Sequence, residues 1–274
     1  MTQYETIRIE RNAAPGVTLL TFNRPEQRNA MNPRLHEDMT AALDELWYDD
    51  ETHVLVLTGE GTAFSAGMDL KQSFLDLQDK PKEYDRMLQQ AVEWRGRTLR
   101  LFPKPTIAMV NGFCFGGAFS IVESCDLAIA ATSAKFGLSE INFGMFPAGC
   151  VSKSLGNTLD RKTSLFYALT GRPFDGTRAA EIGLVNYAVS PHELREHVLE
   201  LAAEIAQRDP EALRGTKDVY LHSVQMDWDA AMSYSTARER QVSLAQNNAW
   251  LDENLTAFAK GEYKPGLGAR QPGK

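Results

Sequence analysis

The stretch KPTIAMVNGFCFGGAFSIVESCDLAIAATSAKFGLSEINFG, residues 104–144, decides the fold of this chain. It begins with an apolar run, 107–110, whose length and β-branched residues predict a buried strand. Asn111-Gly112 follows as a turn, Gly116-Gly117 removes side-chain bulk, and 119–131 is typical of the start of a buried helix. A glycine turn between a strand and a helix leaves backbone amides unpaired, which suits a negatively charged oxygen.

A second glycine-rich turn follows another apolar strand, 53–58, in the stretch GEGTAFSAGMDL. Because the carboxyl ends of parallel strands gather at one edge of a sheet, the amides of Met68 and Gly117 are candidates to converge on one oxygen. Each such donor commonly stabilises a transition state by about 3 kcal/mol. Glycine turns alone do not separate this possibility from two ordinary tight turns. Glu140, in the mostly apolar FGLSEINFG, is a carboxylate with few obvious structural reasons to be there.

The length, composition and net charge of the chain limit the class of protein. A length of 274 residues with 43% hydrophobic residues allows one large core, or one core with a helical appendage. The net charge of −7 argues against nucleic acid or an anionic membrane as a partner, because both require a basic surface. No apolar run reaches the roughly 20 residues of a membrane helix, and the first residues lack a signal-peptide core. The expected location is cytoplasmic.

The chain offers no sign of a metal or dinucleotide site. The three cysteines, Cys114, Cys125 and Cys150, have no metal spacing and read as free thiols in a reducing compartment. The five histidines are dispersed, so no metal ligand set is predicted. Neither G-x-S-x-G nor G-x-G-x-x-G occurs around the glycine turn, which disfavours a serine hydrolase and a dinucleotide-binding enzyme.

Hydrophobic periodicity predicts an alternation of strands and helices, and hence parallel strands with crossover connections. The predicted strands are 6–10, 17–22, 53–58, 107–110, 126–131, 134–136 and 184–189. The predicted helices are 33–47, helical segments within 74–101 with a mobile connection, 151–170, a helix closed by Gly183, 194–207, 210–224 and 228–246.

Five motifs, in order and spacing, resemble the crotonase superfamily, the enoyl-CoA hydratase and isomerase group. They are RPEQRNAM, FSAGMDL, KPTIAMVNGFCFGGAFS, CDLAIAATSAKFGLSEINFG and GRPFDGTRAAEIGLVN, and they cover about 6–186. Within the group, GMDLK, KPTIAMVNG and FGLSEIN most resemble the hydroxycinnamoyl-CoA (feruloyl-CoA) hydratase-lyases. Those enzymes convert feruloyl-type thioesters into an aromatic aldehyde and acetyl-CoA.

The resemblance implies an α/β fold of the crotonase (ClpP/crotonase-like) kind, with repeated ββα units and two nearly perpendicular sheets. Residues 1–200 are expected to form the core that carries the coenzyme A and catalytic sites, and 201–274 a helical trimerisation region. The implied partner is an acyl-CoA thioester, with coenzyme A entering as part of the substrate and no separate cofactor. The implied assembly is a homotrimer or a hexamer formed by two trimers.

The resemblance also assigns catalytic roles. Met68 and Gly117 match the two oxyanion-hole positions, and Glu140 matches the acid/base glutamate. Ser120 stands where typical hydratases have a second glutamate, as it does in the hydratase-lyases, so the expected catalytic residues are Glu140 and Ser120. Glu123, one helical turn further on, is expected to point elsewhere.

Substrate contacts follow from the same resemblance. The loop containing Arg28 and Ala30, together with Ala66, matches the coenzyme A site, although Arg28 reads equally well as a solvated loop arginine. Ser73 and Thr236 stand where the hydratase-lyases place two tyrosines, with Tyr234 two positions away, and a solvent-facing role for Ser73 and Thr236 stays open. The residues expected to bind the substrate are therefore Arg28, Ala30, Ala66, Ser73, Tyr234 and Thr236. Lys264 resembles, more weakly, residues that reach a neighbouring subunit's coenzyme A.

Three functions remain open on the sequence. The first is an acyl-CoA hydratase-lyase that adds water to an enoyl-CoA and then cleaves it to an aldehyde and acetyl-CoA. The second is a hydratase or double-bond isomerase on another bulky acyl-CoA, since one base can move a proton between two carbons. The third is an acyl-CoA binder without chemistry. The sequence does not decide whether 72–90 closes over the substrate.

Overall fold

The structure is a computed structural model that describes residues 4–262 and 264. A six-stranded sheet forms its centre, in the order β1-β2-β3-β5-β7-β10. Its strands are β1 (Ile7–Ala14), β2 (Val17–Phe22), β3 (Val54–Gly59), β5 (Thr106–Val110), β7 (Leu127–Ala131) and β10 (Tyr187–Val189). β1 and β2 form an antiparallel hairpin, and every other pairing in this sheet is parallel. β2, β3 and β5 are buried along their whole length, as their continuous apolar runs predict.

A second sheet is built from four very short strands in the order β4-β6-β8-β9. They are β4 (Ala63–Ser65), β6 (Phe113–Phe115), β8 (Lys135–Gly137) and β9 (Phe174–Asp175). The first three are parallel to one another, and β9 runs antiparallel to β8. Each of β3, β5 and β7 is thus followed by a short strand in the second sheet, which is the repeated two-strand unit that the sequence implied.

This arrangement corrects one detail of the sequence interpretation. The glycine turn at Gly116-Gly117 does not follow the long strand β5 directly, because β6 lies between them. The turn at Gly67 likewise follows β4 and not β3. Strands of three residues are too short to show an alternating pattern, so periodicity alone did not reveal them.

Helices cover the sheets and form the C-terminal part. They are α1 (Pro33–Trp47), α2 (Pro81–Glu93), α3 (Ala118–Ser124), α4 (Val151–Thr158), α5 (Arg161–Thr170), α6 (Gly176–Glu181), α7 (Leu194–Ala206), α8 (Pro210–Ser223), α9 (Trp228–Ala245) and α10 (Thr256–Ala259). Two π-helical turns flank α2, one at Lys71–Leu75 and one at Trp94–Thr98. Turns of this kind are frequent at functional sites.

The predicted continuous helix over 151–170 is in fact two helices. Asp160 breaks it, because its side chain accepts hydrogen bonds from the amides of Lys162 (2.9 Å) and Thr163 (3.1 Å) and so caps a new helix, α5. The helix expected to start at Phe119 also ends early, at Ser124, where the chain extends into β7.

The chain forms two compact units, one up to Ala203 and one from Glu204. The first unit holds both sheets and α1 to α6, with α1 burying Leu35, Met39 and Leu43. The second unit consists of helices, with α8 and α9 packed together so that a methyl on Gly215 would overlap Val242. Within 4–262 and 264, no helix is long and apolar enough to cross a membrane. Lys264 is exposed, and residues 265–274 lie outside the described residues.

Candidate active site

Three neighbouring strand ends bring the candidate groups together. β4 leads into 66–68, which we call the Met68 turn; β6 leads into Gly116-Gly117, which we call the Gly117 turn; and β8 leads towards Glu140. Because these strands are adjacent and parallel, their carboxyl ends lie at one edge of the second sheet. A methyl group on Gly67 would lie 3.4 Å from the Gly117 nitrogen, so the two turns meet as predicted from the sequence.

The N–H group of Met68 points away from Met31, the residue that pairs with this turn. The carbonyl of its own peptide, on Gly67, accepts a hydrogen bond from the Met31 amide (2.7 Å). Because N–H and C=O point in opposite directions in a planar trans peptide, the Met68 N–H faces the other way. It donates to no acceptor among residues 4–262 and 264. Met31 also accepts from the Asp69 amide (2.9 Å), so this turn is held by strand-like backbone pairing.

The Gly117 amide is oriented by the same principle. The carbonyl of its peptide, on Gly116, accepts a hydrogen bond from the Phe119 amide (3.0 Å), and the Gly116 amide donates to the Gly137 carbonyl (3.0 Å). The Gly117 N–H therefore points out of the turn, and within the described residues it has no acceptor. Two neighbouring amides oriented in this way, with no acceptor among residues 4–262 and 264, form a candidate oxyanion hole.

Glu140 lies directly beside the Gly117 turn. A methyl group on Gly116 would be 2.8 Å from Oε1 and 3.8 Å from Oε2 of Glu140, and the φ of +51° at Gly116 is a second reason for glycine there. Oε2 is buried and has no hydrogen-bond partner among the described residues. Burial raises the pKa of the Glu140 carboxyl, and a hydrogen bond from its own backbone amide opposes this only in part. A carboxyl in this state is suited to accept and return a proton.

Ser120 is fully buried in α3, at 0% exposure. Its hydroxyl donates to the Gly117 carbonyl over 2.7 Å. The residue therefore contacts the Gly117 turn itself. Glu123, on the next turn of α3, is bound to Arg100 (2.8 Å) and Asn157 (3.0 Å), and so its carboxylate is engaged away from this turn.

Arg95 is a neighbour of the site that sequence reasoning missed. Its Nη1 donates to the Gly117 carbonyl (3.1 Å), and a methyl group on Gly117 would overlap this nitrogen. A signal was available, because Arg95 follows Met87 and Ala91 at four-residue spacing and so continues the buried face of α2.

Ser73 lies inside the protein, at 0% exposure, and not on a solvent-facing surface. It stands on the π-helical turn Lys71–Leu75, and its hydroxyl donates to the Met31 carbonyl over 3.2 Å. Through Met31 it supports the Met68 turn. Whether it also binds an acyl group stays a prediction.

The predicted coenzyme A loop lies against the Met68 turn. The Ala66 amide donates to the Arg28 carbonyl over 2.9 Å, and Ala30, two residues after Arg28, is half-buried. The Arg28 side chain is exposed, with its guanidinium carbon 4.9 Å from the centre of the Phe113 ring. These residues are adjacent, and their binding role stays a prediction.

Tyr234 and Thr236 belong to the second unit. Tyr234 is half-buried, and its hydroxyl donates to Asp218 over 2.6 Å, which raises the pKa of the phenol. Thr236 is exposed within that unit. Their predicted contact with substrate stays a prediction.

The described part of the first unit can therefore hold a developing negative oxygen with two amides and move a proton with one half-buried acid. In the ranges 4–262 and 264, no group of three or more His, Cys, Asp or Glu side chains is placed to hold a metal ion.

Comparison with known proteins agrees with this geometry. The enoyl-CoA hydratase/isomerase family matches residues 12–264. The hydroxycinnamoyl-CoA hydratase-lyase of Pseudomonas fluorescens is 40% identical over 97% of each chain, and a putative enoyl-CoA hydratase of Thermus thermophilus is 33% identical over 92% of this chain and 93% of that one. The crystal structure of an enoyl-CoA hydratase from Bacillus anthracis superposes with a TM-score of 0.82 at 28% identity, covering 94% of this chain and 97% of that one. The fold is the crotonase fold, and the chain belongs to the enoyl-CoA hydratase/isomerase family of enzymes.

Proposed function

We propose that this enzyme is an acyl-CoA hydratase-lyase that acts on a hydroxycinnamoyl-CoA or feruloyl-CoA-like thioester. The observation that carries the proposal is the Glu140 carboxyl, placed beside Gly116 and next to the free Gly117 amide. The 40% identity to a hydroxycinnamoyl-CoA hydratase-lyase over the whole chain supports the acyl group proposed.

The first half of the reaction is hydration of the double bond. The Met68 and Gly117 amides bind the thioester oxygen, and ionised Glu140 takes a proton from water as its oxygen bonds to the β-carbon. The electron pair of the double bond moves to the thioester and forms an enolate, whose charge the two amides stabilise. Glu140 then returns its proton to the α-carbon, which gives the β-hydroxyacyl-CoA.

The second half is a retro-aldol cleavage with the same groups. Glu140 takes the proton of the β-hydroxyl, the bond between the α- and β-carbons breaks, and an aldehyde leaves. The electron pair of that bond forms the enolate of acetyl-CoA on the two amides. Protonation of its α-carbon by Glu140 releases acetyl-CoA and restores the carboxylate, so one half-buried acid suffices for both halves.

A product assay tests the reaction. The enzyme is incubated with feruloyl-CoA and the products are separated by chromatography, with the aromatic aldehyde and acetyl-CoA expected in equal amounts. A β-hydroxyacyl-CoA that accumulates without cleavage would make the protein a hydratase. Faster conversion of a 3-enoyl-CoA to its 2-enoyl isomer would make it an isomerase.

The role of Glu140 is tested with Glu140→Gln. We expect kcat to fall by about 10³-fold or more, because the amide neither accepts nor donates the proton. Affinity for a saturated acyl-CoA, measured by calorimetry, should change by less than about threefold, because the two amides remain. Glu51→Gln, the same substitution at an exposed residue, is the control. Full activity of Glu140→Gln would remove this residue from the mechanism.

A further inference from the structure

Arg95 is a buried cation without an anionic partner in the part of the chain that the structure describes. It is 3% exposed, on the π-helical turn Trp94–Thr98 that continues α2. Its Nε donates to the Ala91 carbonyl (2.8 Å) and its Nη1 to the Gly117 carbonyl (3.1 Å). No carboxylate of residues 4–262 and 264 forms an ion pair with it.

Such a group is destabilising unless something compensates for it. Removing a guanidinium from water costs roughly several kcal/mol, and two neutral carbonyls return only part of that. Burial lowers the pKa of Arg95 to about 10, while the Cys150 thiol opposes the shift, so the side chain is charged at neutral pH. The resting protein therefore holds a positive charge at a place where its fold gains little from it.

The location of this charge relates it to the reaction. The guanidinium packs against Gly117 so closely that a Cβ there would overlap Nη1, and the Gly117 amide is one of the two oxyanion donors. Ser120 donates to the same carbonyl. The cation therefore contacts the residue that supplies one of the two donor amides, in surroundings where charges are poorly screened.

We propose that Arg95 is a positioning residue that holds the Gly117 turn and supplies the positive charge that balances the enolate. The thioester is neutral before the reaction and its oxygen is negative in the transition state, so the charge acts mainly on the transition state. This inference rests on the part of the proposed function that requires an enolate, and it holds equally for hydration, isomerisation and cleavage.

Three substitutions test it by steady-state kinetics. Arg95→Met should lower kcat by about 10- to 100-fold with KM within about threefold, because the interaction strengthens only as charge develops. Arg95→Lys, which keeps the charge, should retain clearly more of kcat than Arg95→Met. Arg97→Met is the matched control, since Arg97 lies on the same turn but is exposed and paired with Glu93 over 3.2 Å. Equal losses in Arg95→Met and Arg95→Lys would overturn the role of charge.

Thermal unfolding separates this role from a purely structural one. Replacing a buried unpaired charge by an apolar side chain of similar size is often neutral or stabilising. The melting temperature of Arg95→Met should therefore be unchanged or raised while kcat falls. A lowered melting temperature with unchanged kcat would show that Arg95 serves only the fold.

Proton exchange distinguishes failure of this inference from failure of the lyase proposal. Butyryl-CoA in D₂O exchanges its α-protons only through an enolate, and ¹H NMR follows the exchange without any cleavage. The rate should fall in Arg95→Met by the same factor as kcat. Unchanged exchange, or no exchange with the unsubstituted protein, overturns the role of Arg95. Arg95-dependent exchange in a protein that does not cleave feruloyl-CoA supports Arg95 and rejects the lyase.

Discussion

The Met68 turn and the Gly117 turn present the same kind of donor but are held in different ways. Each donor amide is oriented because the carbonyl of its own peptide is bound, on Gly67 by the Met31 amide and on Gly116 by the Phe119 amide. Beyond that, the Met68 turn is supported by backbone pairing and one serine, Ser73, through the Met31 carbonyl.

The Gly117 turn depends on side chains instead. Its carbonyl accepts from the Arg95 guanidinium (3.1 Å) and the Ser120 hydroxyl (2.7 Å), and Glu140 lies against its other glycine. The Met68 turn is thus supported by backbone pairing and one neutral hydroxyl, whereas the Gly117 turn is also contacted by two ionisable side chains, Arg95 and Glu140. Substitutions and pH should therefore affect the two turns unequally.

The largest expected difference comes from adding one methyl group to each turn. Gly67→Ala should destabilise the protein by about 3 kcal/mol, because its φ is +85° and the new Cβ would lie 2.7 Å from the Phe115 backbone oxygen. Gly117→Ala should cost only about 1 kcal/mol, since the new methyl meets the ends of the Arg95 and Met31 side chains, which can move. Urea unfolding measures both values.

The control for backbone strain is Gly61→Ala. Gly61 has a φ of +74° and its nearest neighbour would be 3.5 Å from the new Cβ, so this variant isolates the strain without the overlap. Gly117→Ala should also lower kcat, because it displaces Arg95. Equal loss of stability in Gly67→Ala and Gly117→Ala would show that the two turns are equally rigid.

A pH experiment examines the charge behind the Gly117 turn. His36 is buried and accepts a hydrogen bond from the Trp94 indole (3.0 Å); burial first, and the Arg95 charge second, lower its pKa from 6.5 to about 3. Because the folded state disfavours the charged imidazole, stability is complete above pH 6.5 and is lost as the pH falls towards 3. Between pH 6.5 and 5 the loss should be about 2 kcal/mol by urea unfolding.

Two variants sharpen that result. His36→Gln removes the titrating group, so its stability should vary less over this pH range. Arg95→Met should reduce the pH dependence without abolishing it, because burial is the larger cause. An unchanged pH dependence in His36→Gln would mean that another group titrates here.

The smallest expected difference is between the two serines. Ser120→Ala should lower kcat about fivefold, because it removes one of the two donors that hold the Gly117 carbonyl. Ser73→Ala should lower kcat less than about twofold, since the Met31 carbonyl keeps the Asp69 amide. A rise in KM for Ser73→Ala would instead indicate that Ser73 contacts the acyl group, as the sequence predicted.

The sequence predicted the long strands and helices better than the short strands. The apolar runs in β3, β5 and β7, and the 3.6-residue period of α1, were sufficient, because burial of one long face leaves a clear pattern. The second sheet as a whole came only from resemblance to a family, although the predicted strand 134–136 overlaps β8. Its strands of two or three residues have no period to detect, although they position both donor turns and Glu140.

The candidate site was predicted in part. The glycine turns and the motif spacing singled out Met68, Gly117 and Glu140, and the structure places these residues close together. The contacts of Ser73 and Ser120 with carbonyls were not foreseen, since a hydroxyl in the sequence does not show its partner. Arg95 was missed in EWRGRTLR because Arg97 and Arg100 share its chemistry, and only its four-residue spacing from Met87 and Ala91 indicates that it is the buried one.

The oxygen-binding groups of the proposed mechanism are main-chain N–H groups, and this has a consequence for the evolution of the enzyme. A single codon change can replace Glu140, Ser120 or Arg95, but none deletes the amide of Met68 or Gly117, short of introducing proline. A descendant that lost its acid would still recognise the carbonyl of a thioester. Duplicated copies can therefore lose catalysis, keep thioester binding and become receptors or carriers of acyl-CoA.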